Sequence, residues 1–305
     1  MRKEEIMAQQ SGDRLDLFLT TYYNGRITRS QITAGIKNGS ILLNNSSVKS
    51  GMILKRGDVI NVNIEDAEAP AAAEDIKIDI IFEDDHLIVL NKPRGLVVHP
   101  GAGNKHGTLL NALLYKMRED DKGDVQRAGI VHRLDKNTAG LMIAAKTAAV
   151  QAKLAAMFEK HEIKRTYLGL VEGIISENGT INKNIIRDPN RRIIFKTTTA
   201  GGRRAITHYK VIKNFSKWTL LKFNLETGRT HQIRVHCKSI GHPLLCDPEY
   251  NPNSTIKDNG TGQLLESIEI EFIHPVTGQK LHFRIEPSAT FRDVIMRLRP
   301  QSSYS

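Results

Sequence analysis

Apolar positions from Asp13 to Ile64 follow first a helical and then a strand period. Leu15, Phe18, Leu19 and Tyr22 recur at helical spacing. Thr28-Arg29-Ser30-Gln31 reads as a capping box opening a second helix, with Ile32 and Ile36 on one face and Gly39 just past its end. Ile41-Leu42-Leu43 predicts a short strand that turns at Asn44-Asn45. After Arg56-Gly57-Asp58, residues Ile60, Val62 and Ile64 alternate as a half-buried strand. Residues 13–64 therefore form a small unit of two helices and a short sheet, preceded by a polar stretch, 1–12, predicted to fray.

Glu65 to Asp75 breaks this pattern, being acidic, small and interrupted by Pro70. That composition predicts a linker over 65–76 and a second domain over 77–298. There Ile78, Ile80 and Phe82 alternate, a turn falls at Asp84-Asp85, and Leu87-Ile88-Val89-Leu90 reads as a buried strand halted by Asn91-Lys92-Pro93. Thr108 can cap a helix over 109–117, and a polar loop follows over 118–126. Thr147 caps a longer helix with Leu154 and Phe158 four apart. Arg165 to Gly173 reads as a strand, and so does Trp218 to Glu226. Leu264–Phe272 and Leu281–Ile285 close as a hairpin around Pro275-Val276-Thr277-Gly278, and Phe291 and Ile295 suggest a last helix. The pattern supports an α+β class without fixing a strand order.

One stretch stands apart from this alternation. Ile130 and Val131 enter a polar knot, His132-Arg133-Leu134-Asp135-Lys136-Asn137-Thr138, and Leu141-Met142-Ile143 leave it. This reads as strand, tight loop, strand, with Gly129 and Gly140 lending backbone freedom at the ends. A solvated Arg–Asp turn and a working site both fit such a knot; between buried strands its charges need partners.

Charge changes the picture next. Lys and Arg outnumber Asp and Glu by 44 to 33, a net charge of +11, which suits a polyanion. No apolar run approaches the ~18 residues of a membrane span. Met1-Arg2-Lys3-Glu4-Glu5 has no apolar signal core behind it, so a cytoplasmic protein is expected. Its two cysteines, Cys237 and Cys246, fit a reducing compartment. The spacing of His231, His236, Cys237, His242 and Cys246 matches no zinc pattern, so no metal is expected. Cations gather at two places: Arg14, Arg26, Arg29 and Lys37 on the small unit, and Arg187, Arg191, Arg192, Lys196, Arg203 and Arg204 on a loop-like segment holding one acid, Asp188. On the helices, solvated charge and a nucleic-acid face remain equal readings; on the hairpin, phosphate contact is favoured.

His132-Arg133-Leu134-Asp135-Lys136-x-Thr138-x-Gly140-Leu141 resembles the catalytic motif of the RluA/RluD family of RNA pseudouridine synthases. Ala139 stands where that family usually carries Ser or Thr. Asn91-Lys92-Pro93 through Gly101 resembles its first motif, Arg165-Thr166-Tyr167 its tyrosine strand, and Thr227-Gly228-Arg229-Thr230-His231-Gln232-Ile233-Arg234, with Asp247-Pro248-Glu249-Tyr250, its third motif. Residues 13–64 resemble the S4 RNA-binding domain, from Arg14-Leu15-Asp16 to Gly57-Asp58. The chain is most similar to the branch that modifies bacterial large-subunit ribosomal RNA, in which an S4 domain precedes the catalytic one. Leu265-Glu266-Ser267 departs from the Ala-His-Ala-like segment usual there.

The resemblance implies a catalytic domain built on a large mixed, mainly antiparallel sheet with the active site in a cleft across it. It implies Asp135 as the catalytic group and Tyr167 against the target base, although Tyr167 alone would read as core. It implies Arg234 paired with Asp135, Arg133 filling the place of a flipped uridine or clamping its phosphate, and Lys92 beside the site, although a lysine at a turn also fits solvent. Uridine isomerisation exchanges only a proton with the surroundings, so neither metal nor nucleotide cofactor is expected, and the partner is RNA, bound by a monomer. Two other readings compete. One is a non-catalytic RNA-binding ribosome-assembly factor, which would not need Asp135, Tyr167 and Arg234 together. The other is a carboxylate-dependent hydrolase, which would want a second catalytic carboxylate, and Asp84, Asp85 and Asp247 sit in no comparable motif.

Overall fold

A computed structural model describes residues 2–23, 27, 29–64, 71–101, 104–119, 129–191, 193–256 and 262–298. Thr28, Arg26, residues 65–70 of the expected linker, the loop over 120–128 and Arg192 lie outside the described residues. The chain forms two compact units, Met1–Pro70 and Ala71–Ser305.

In the first unit β1 (Arg2–Met7), α1 (Leu15–Tyr22), α2 (Arg29–Lys37), β2 (Ile41–Leu43) and β3 (Val59–Ile64) follow in order. The sheet order is β1-β3-β2, all antiparallel. Residues 2–7 do not fray: they pair with β3 from Arg2↔Ile64 to Met7↔Val59. Ile6 enters the core, and Glu4 accepts hydrogen bonds from the hydroxyls of Tyr22 and Tyr23. Leu15, Leu19, Ile32, Ile36 and Ile60 bury together, the helical and alternating faces expected of them. Each full burial contributes roughly 1.5–3 kcal/mol. Asp16, also buried, accepts from Arg14 Nε at 3.0 Å and Arg29 Nη2 at 2.7 Å. Two of the four cations expected on an RNA face are thereby tied to one carboxylate.

Residues 71–76 are fastened to the second unit. Asn111 donates to the Ala72 carbonyl, and Glu74 accepts from the Gly107 amide. The elements then run β4 (Asp79–Glu83), β5 (Leu87–Lys92), α3 (Leu109–Glu119), β6 (Ala139–Ala145), α4 (Ala148–Glu159), β7 (Lys164–Glu172), β8 (Gly179–Asn182), β9 (Asn184–Arg187), β10 (Phe195–Thr198), β11 (Ile206–Asn214), β12 (Trp218–Leu225), α5 (Gln232–Ser239), β13 (Leu265–Ile273), β14 (Lys280–Arg284) and α6 (Ala289–Leu298).

Nine of these strands make one sheet, ordered β4-β5-β6-β13-β7-β12-β11-β8, with β14 paired to β13. All its pairs are antiparallel except β6 with β13. Strands β5 and β6 read as unbroken apolar runs because both faces are covered. Ile88, Leu90, Met142 and Ala144 pack with Leu109 and Leu113 of α3, while Leu87, Val89, Leu141 and Ile143 pack with Val150 and Leu154 of α4. Thr147 caps α4, its hydroxyl accepting from the Val150 amide. Strands β9 and β10 form a separate antiparallel pair carrying the basic segment.

The expected strand at Ile130-Val131 is only an isolated bridge, Ile130↔Ala144. Gly140 is not a loop end but lies inside β6, where a Cβ would stand 2.1 Å from the Ser267 carbonyl oxygen. At Gly129, with φ +63°, a Cβ would meet the Ala145 carbonyl oxygen at 1.8 Å. Both glycines let backbone approach backbone, which is how β6 and β13 can flank the polar knot.

Candidate active site

The polar knot is clamped through its backbone. Lys136 O accepts from Lys92 Nζ at 3.1 Å and from the Gly95 amide at 2.9 Å. Asn137 O accepts from Arg94 Nη1 at 2.8 Å, and Thr138 Oγ1 from Gln263 Nε2 at 3.0 Å. The Thr138 amide closes back on Asp135 O at 3.0 Å, and Leu134 anchors the loop in the core. His132 accepts the Ile143 amide at Nε2, 2.9 Å, and stacks on Phe158. Burial, with the charge of Arg165, pushes its imidazole down to about 3, so the ring stays neutral.

Lys92 is not a solvated turn lysine. It is fully buried at the end of β5, and its Nζ donates to three carbonyls, those of Pro93, Leu96 and Lys136. Burial pushes its pKa down to about 7, against the pull of the Asp135 carboxylate. Three acceptors match the three N–H bonds of an ammonium, so the carbonyls favour the charged form that burial opposes.

Held this way, Asp135 presents a carboxylate that is 16% exposed. Oδ2 lies 3.3 Å from Arg234 Nη1, and Oδ1 lies 3.8 Å from His231 Nε2. Arg234 comes from the first turn of α5 and is itself buried. Its Nε and Nη2 each reach Asp247 at 2.7 Å, and Nη2 also meets Glu249. Burial works against the Arg234 charge, but its bonds to Asp247 and the field of Asp135 hold it above the ordinary arginine range. Asp247 is fixed in turn by the amides of Glu249 and Tyr250, both at 3.0 Å. Helix α5 carries no N-cap side-chain bond; instead Gln232 accepts from the Arg229 amide and from Thr227.

His231, at φ +55°, turns its ring between Asp135 and Tyr250. Tyr250 accepts the Phe195 amide and bonds His231 Nδ1 at 2.9 Å. The two ring nitrogens of His231 thus face Tyr250 and Asp135, Nδ1 at hydrogen-bond distance and Nε2 at 3.8 Å. Burial keeps that imidazole below its usual range.

Tyr167, on β7 opposite Phe223, is 5% exposed and shares a cavity with Asp135. Burial raises its hydroxyl pKa, and Asp135 adds to the effect. The cavity is about 690 Å³, with Arg133, Arg165, Arg203, Arg229 and Arg234 on its walls. Arg187 lies over the Phe195 ring on the β9–β10 hairpin, Arg191 is exposed at its turn, and the Arg204 carbonyl accepts from Arg229 Nε. In the small unit Lys37 is exposed in the last turn of α2. No group of three or more His, Cys, Asp or Glu among the described residues could hold a metal ion. Among them no helix is long and apolar enough to cross a membrane.

Sequence reasoning missed Asp247, Glu249, His231 and Tyr250 as parts of this cluster. Asp247-Pro248-Glu249-Tyr250 is visible as a motif, but its carboxylates find Arg234 only in three dimensions. Asp247 is fully buried against Arg234, so it is not the free second carboxylate a hydrolase would need. The unusual Glu266 is also accounted for: it pairs with Arg94 at 3.0 Å and accepts from the Ser288 amide.

A buttressed carboxylate sharing an arginine-walled cavity with a buried tyrosine, on a mixed sheet, suits nucleophilic or acid–base chemistry on a polyanion. A sequence model of RNA pseudouridylate synthase matches residues 86–239, and the chain belongs to that family. It is 39% identical to the uncharacterized RNA pseudouridine synthase YlyB of Bacillus subtilis, covering 95% of this chain and 96% of that one. It is 41% identical to ribosomal large subunit pseudouridine synthase D of Neisseria meningitidis, over 91% of this chain and 76% of the relative. The protein of that name from Haemophilus influenzae is 39% identical over 92% and 89%. The fold is similar to that of human RNA pseudouridylate synthase domain containing 4, with TM-score 0.59 and 20% identity over 72% of this chain and 93% of that one.

Proposed function

We propose that this RNA pseudouridine synthase isomerises specific uridines of large-subunit ribosomal RNA, with Asp135 as the catalytic residue. The observation that carries the assignment is the Asp135 carboxylate on the cavity wall, 3.3 Å from the buried guanidinium of Arg234. In the reaction the N1–C1′ bond breaks, the uracil turns, and a C5–C1′ bond forms. One proton leaves C5 and one is gained at N1. A carboxylate serves such a reaction as nucleophile or as base. Arg234 balances the charge on Asp135 throughout, and the ring of His231 lies beside the same carboxylate, with Nε2 3.8 Å from Oδ1. Tyr167 faces the uracil, and its hydroxyl, kept protonated by burial, takes up the C5 proton only by passing on its own.

The uridine must leave its stack to enter the cavity, and Arg133 at the rim takes its place or holds its phosphate. Arg187, Arg191, Arg192, Arg203 and Arg204 then track the neighbouring phosphates. The small unit is an S4-like RNA-binding module, in which Lys37 is exposed at the end of α2 and Arg14 and Arg29 share Asp16. The protein works on RNA as a monomer in the cytoplasm, with no metal or nucleotide cofactor. The ribosomal names of its relatives support the substrate. Asp135→Asn tests the assignment: RNA binding and fold should persist while pseudouridine formation falls to background. Pseudouridine formed at a normal rate by that variant would refute it. Mapping pseudouridines in ribosomal RNA from cells lacking the protein tests the substrate.

A further inference from the structure

Among the described residues, Arg165 is the buried cavity arginine without an anionic partner. It is 7% exposed, its Nε has no hydrogen-bond partner, and no carboxylate of the described residues is ion-paired with it. Glu159, also on the cavity wall, is exposed and not within ion-pair distance of it. The guanidinium lies over the Phe158 ring, 5.3 Å from Cζ to the ring centroid. On its other side a Cβ at residue 228 would stand 3.0 Å from Nη1, so Gly228 leaves room for it. Arg234, equally buried, has three carboxylates around it. A cation placed this deep is costly without a counter-charge. The protein positions it with care and supplies none.

Its place in the strand says what the counter-charge is. Arg165 and Tyr167 are two residues apart in β7, so their side chains share the cavity face about 7 Å apart along the strand. With Tyr167 against the uracil, Arg165 lies one side-chain spacing away, at the distance of the sugar–phosphate. The planar fork of a guanidinium suits two phosphate oxygens, and neutral uracil carbonyls would leave its charge unbalanced. We propose that Arg165 is the seat for a backbone phosphate adjoining the uridine drawn into the cavity, and that it holds the nucleotide while Asp135 acts. The inference rests on the cavity being the uridine site.

The test uses RNA oligonucleotides carrying a mapped target uridine, with the phosphate on its 5′ or its 3′ side replaced by a neutral methylphosphonate. Equilibrium binding and single-turnover rates are measured for wild type, Arg165→Gln and Arg165→Lys, with circular dichroism as the check on folding. Arg165→Gln should weaken binding about 10- to 100-fold, the loss of one charge-assisted contact. One of the two neutral linkages should weaken wild-type binding by a similar factor and weaken Arg165→Gln no further. Arg165→Lys, which keeps the charge and loses the fork, should recover part of the loss. If Arg165→Gln binds like wild type, or if both neutral linkages cost the variant as much as they cost wild type, the phosphate seat is refuted. Should Arg165→Gln not fold, the same comparison between wild type and Arg165→Lys decides. Binding is read without turnover, so a wild type that binds but forms no pseudouridine refutes the enzymatic reading and still reports the coupling.

Discussion

Asp247 takes two of the three nitrogens of Arg234, Nε and Nη2, each at 2.7 Å, and leaves Nη1 to reach Asp135 at 3.3 Å. The fully buried carboxylate therefore aims the guanidinium, and the half-buried one uses it. Glu249 adds a further anion at Nη2, so the arginine is surrounded by more negative charge than it balances. The nearby cations Lys92 and Arg133 offset the remainder in the same region.

Asp247→Asn should keep the shape of this support and remove its charge. Breaking one partner from a buried pair costs about 3–5 kcal/mol of stability. Arg234 then turns toward Glu249 and Asp135, and the rate should fall about 10- to 100-fold while RNA affinity stays near wild type. Urea unfolding and single-turnover rates check both parts. A stable variant with a normal rate would show that Asp247 does not aim Arg234.

Tyr167→Phe separates stacking from proton transfer. The phenyl ring keeps its place opposite Phe223, and only the hydroxyl is lost. If that hydroxyl moves the C5 proton, RNA binding stays within about twofold and the reaction stalls after glycosidic cleavage. Release of label from C5-tritiated uridine in RNA reports the step. Full turnover by the Phe variant would leave Tyr167 a packing and stacking residue.

Lys92 makes stability depend on pH in a stated direction. Its folded pKa, about 7, lies below the unfolded value of about 10.4. Between the two the unfolded chain binds more protons, so the contribution of this site to stability rises with pH across that window; the penalty is full below pH 7. Lys92→Met removes the titration and also strips the Lys136 carbonyl of one clamp. Urea midpoints at about pH 7 and pH 9 should rise more for wild type than for the variant. Equal changes would place the Lys92 pKa outside this window.

What the sequence makes legible is local chemistry. Alternation at Ile60 and Val62, the unbroken run at Leu87–Leu90 and the knot around Asp135 all state their structure within a few residues. β1 escapes because Arg2-Lys3-Glu4-Glu5 has no alternating apolar face; a backbone ladder to β3, the buried side chain of Ile6 and the bonds of Glu4 to Tyr22 and Tyr23 secure it. Lys92 looks like a turn lysine because its three carbonyl partners come from other segments or from the bend just after it. Asp247 looks unremarkable for the same reason: its value lies in Arg234, on another element. Pairings across the chain are not periodic: the Arg234–Asp135 pair is implied by the family resemblance, while the Arg234–Asp247 pair and the Lys92 carbonyls emerge in the fold.

The small unit makes a quantitative prediction about salt. Arg14 and Arg29 both bond Asp16, so the three together present a net charge of one. Adding the formal charges of Lys37 and of Arg26, which lies outside the described residues, brings this candidate RNA-facing set to a net charge of three. A chain beginning at Ala71 keeps the contacts of Ala72 and Glu74 with the second unit, and Asp135, Tyr167 and Arg234 with it. It should therefore isomerise RNA at the full rate when saturated, but bind more weakly. Losing about three phosphate contacts should make the slope of log affinity against log salt shallower by about 2, at roughly 0.7 per contact on single strands. A slope change near 3 would mean that Arg14 and Arg29 both reach phosphate in spite of Asp16. An unchanged slope and affinity would show that the small unit does not touch that RNA. A lost saturated rate in a folded protein would place the small unit within the active complex itself.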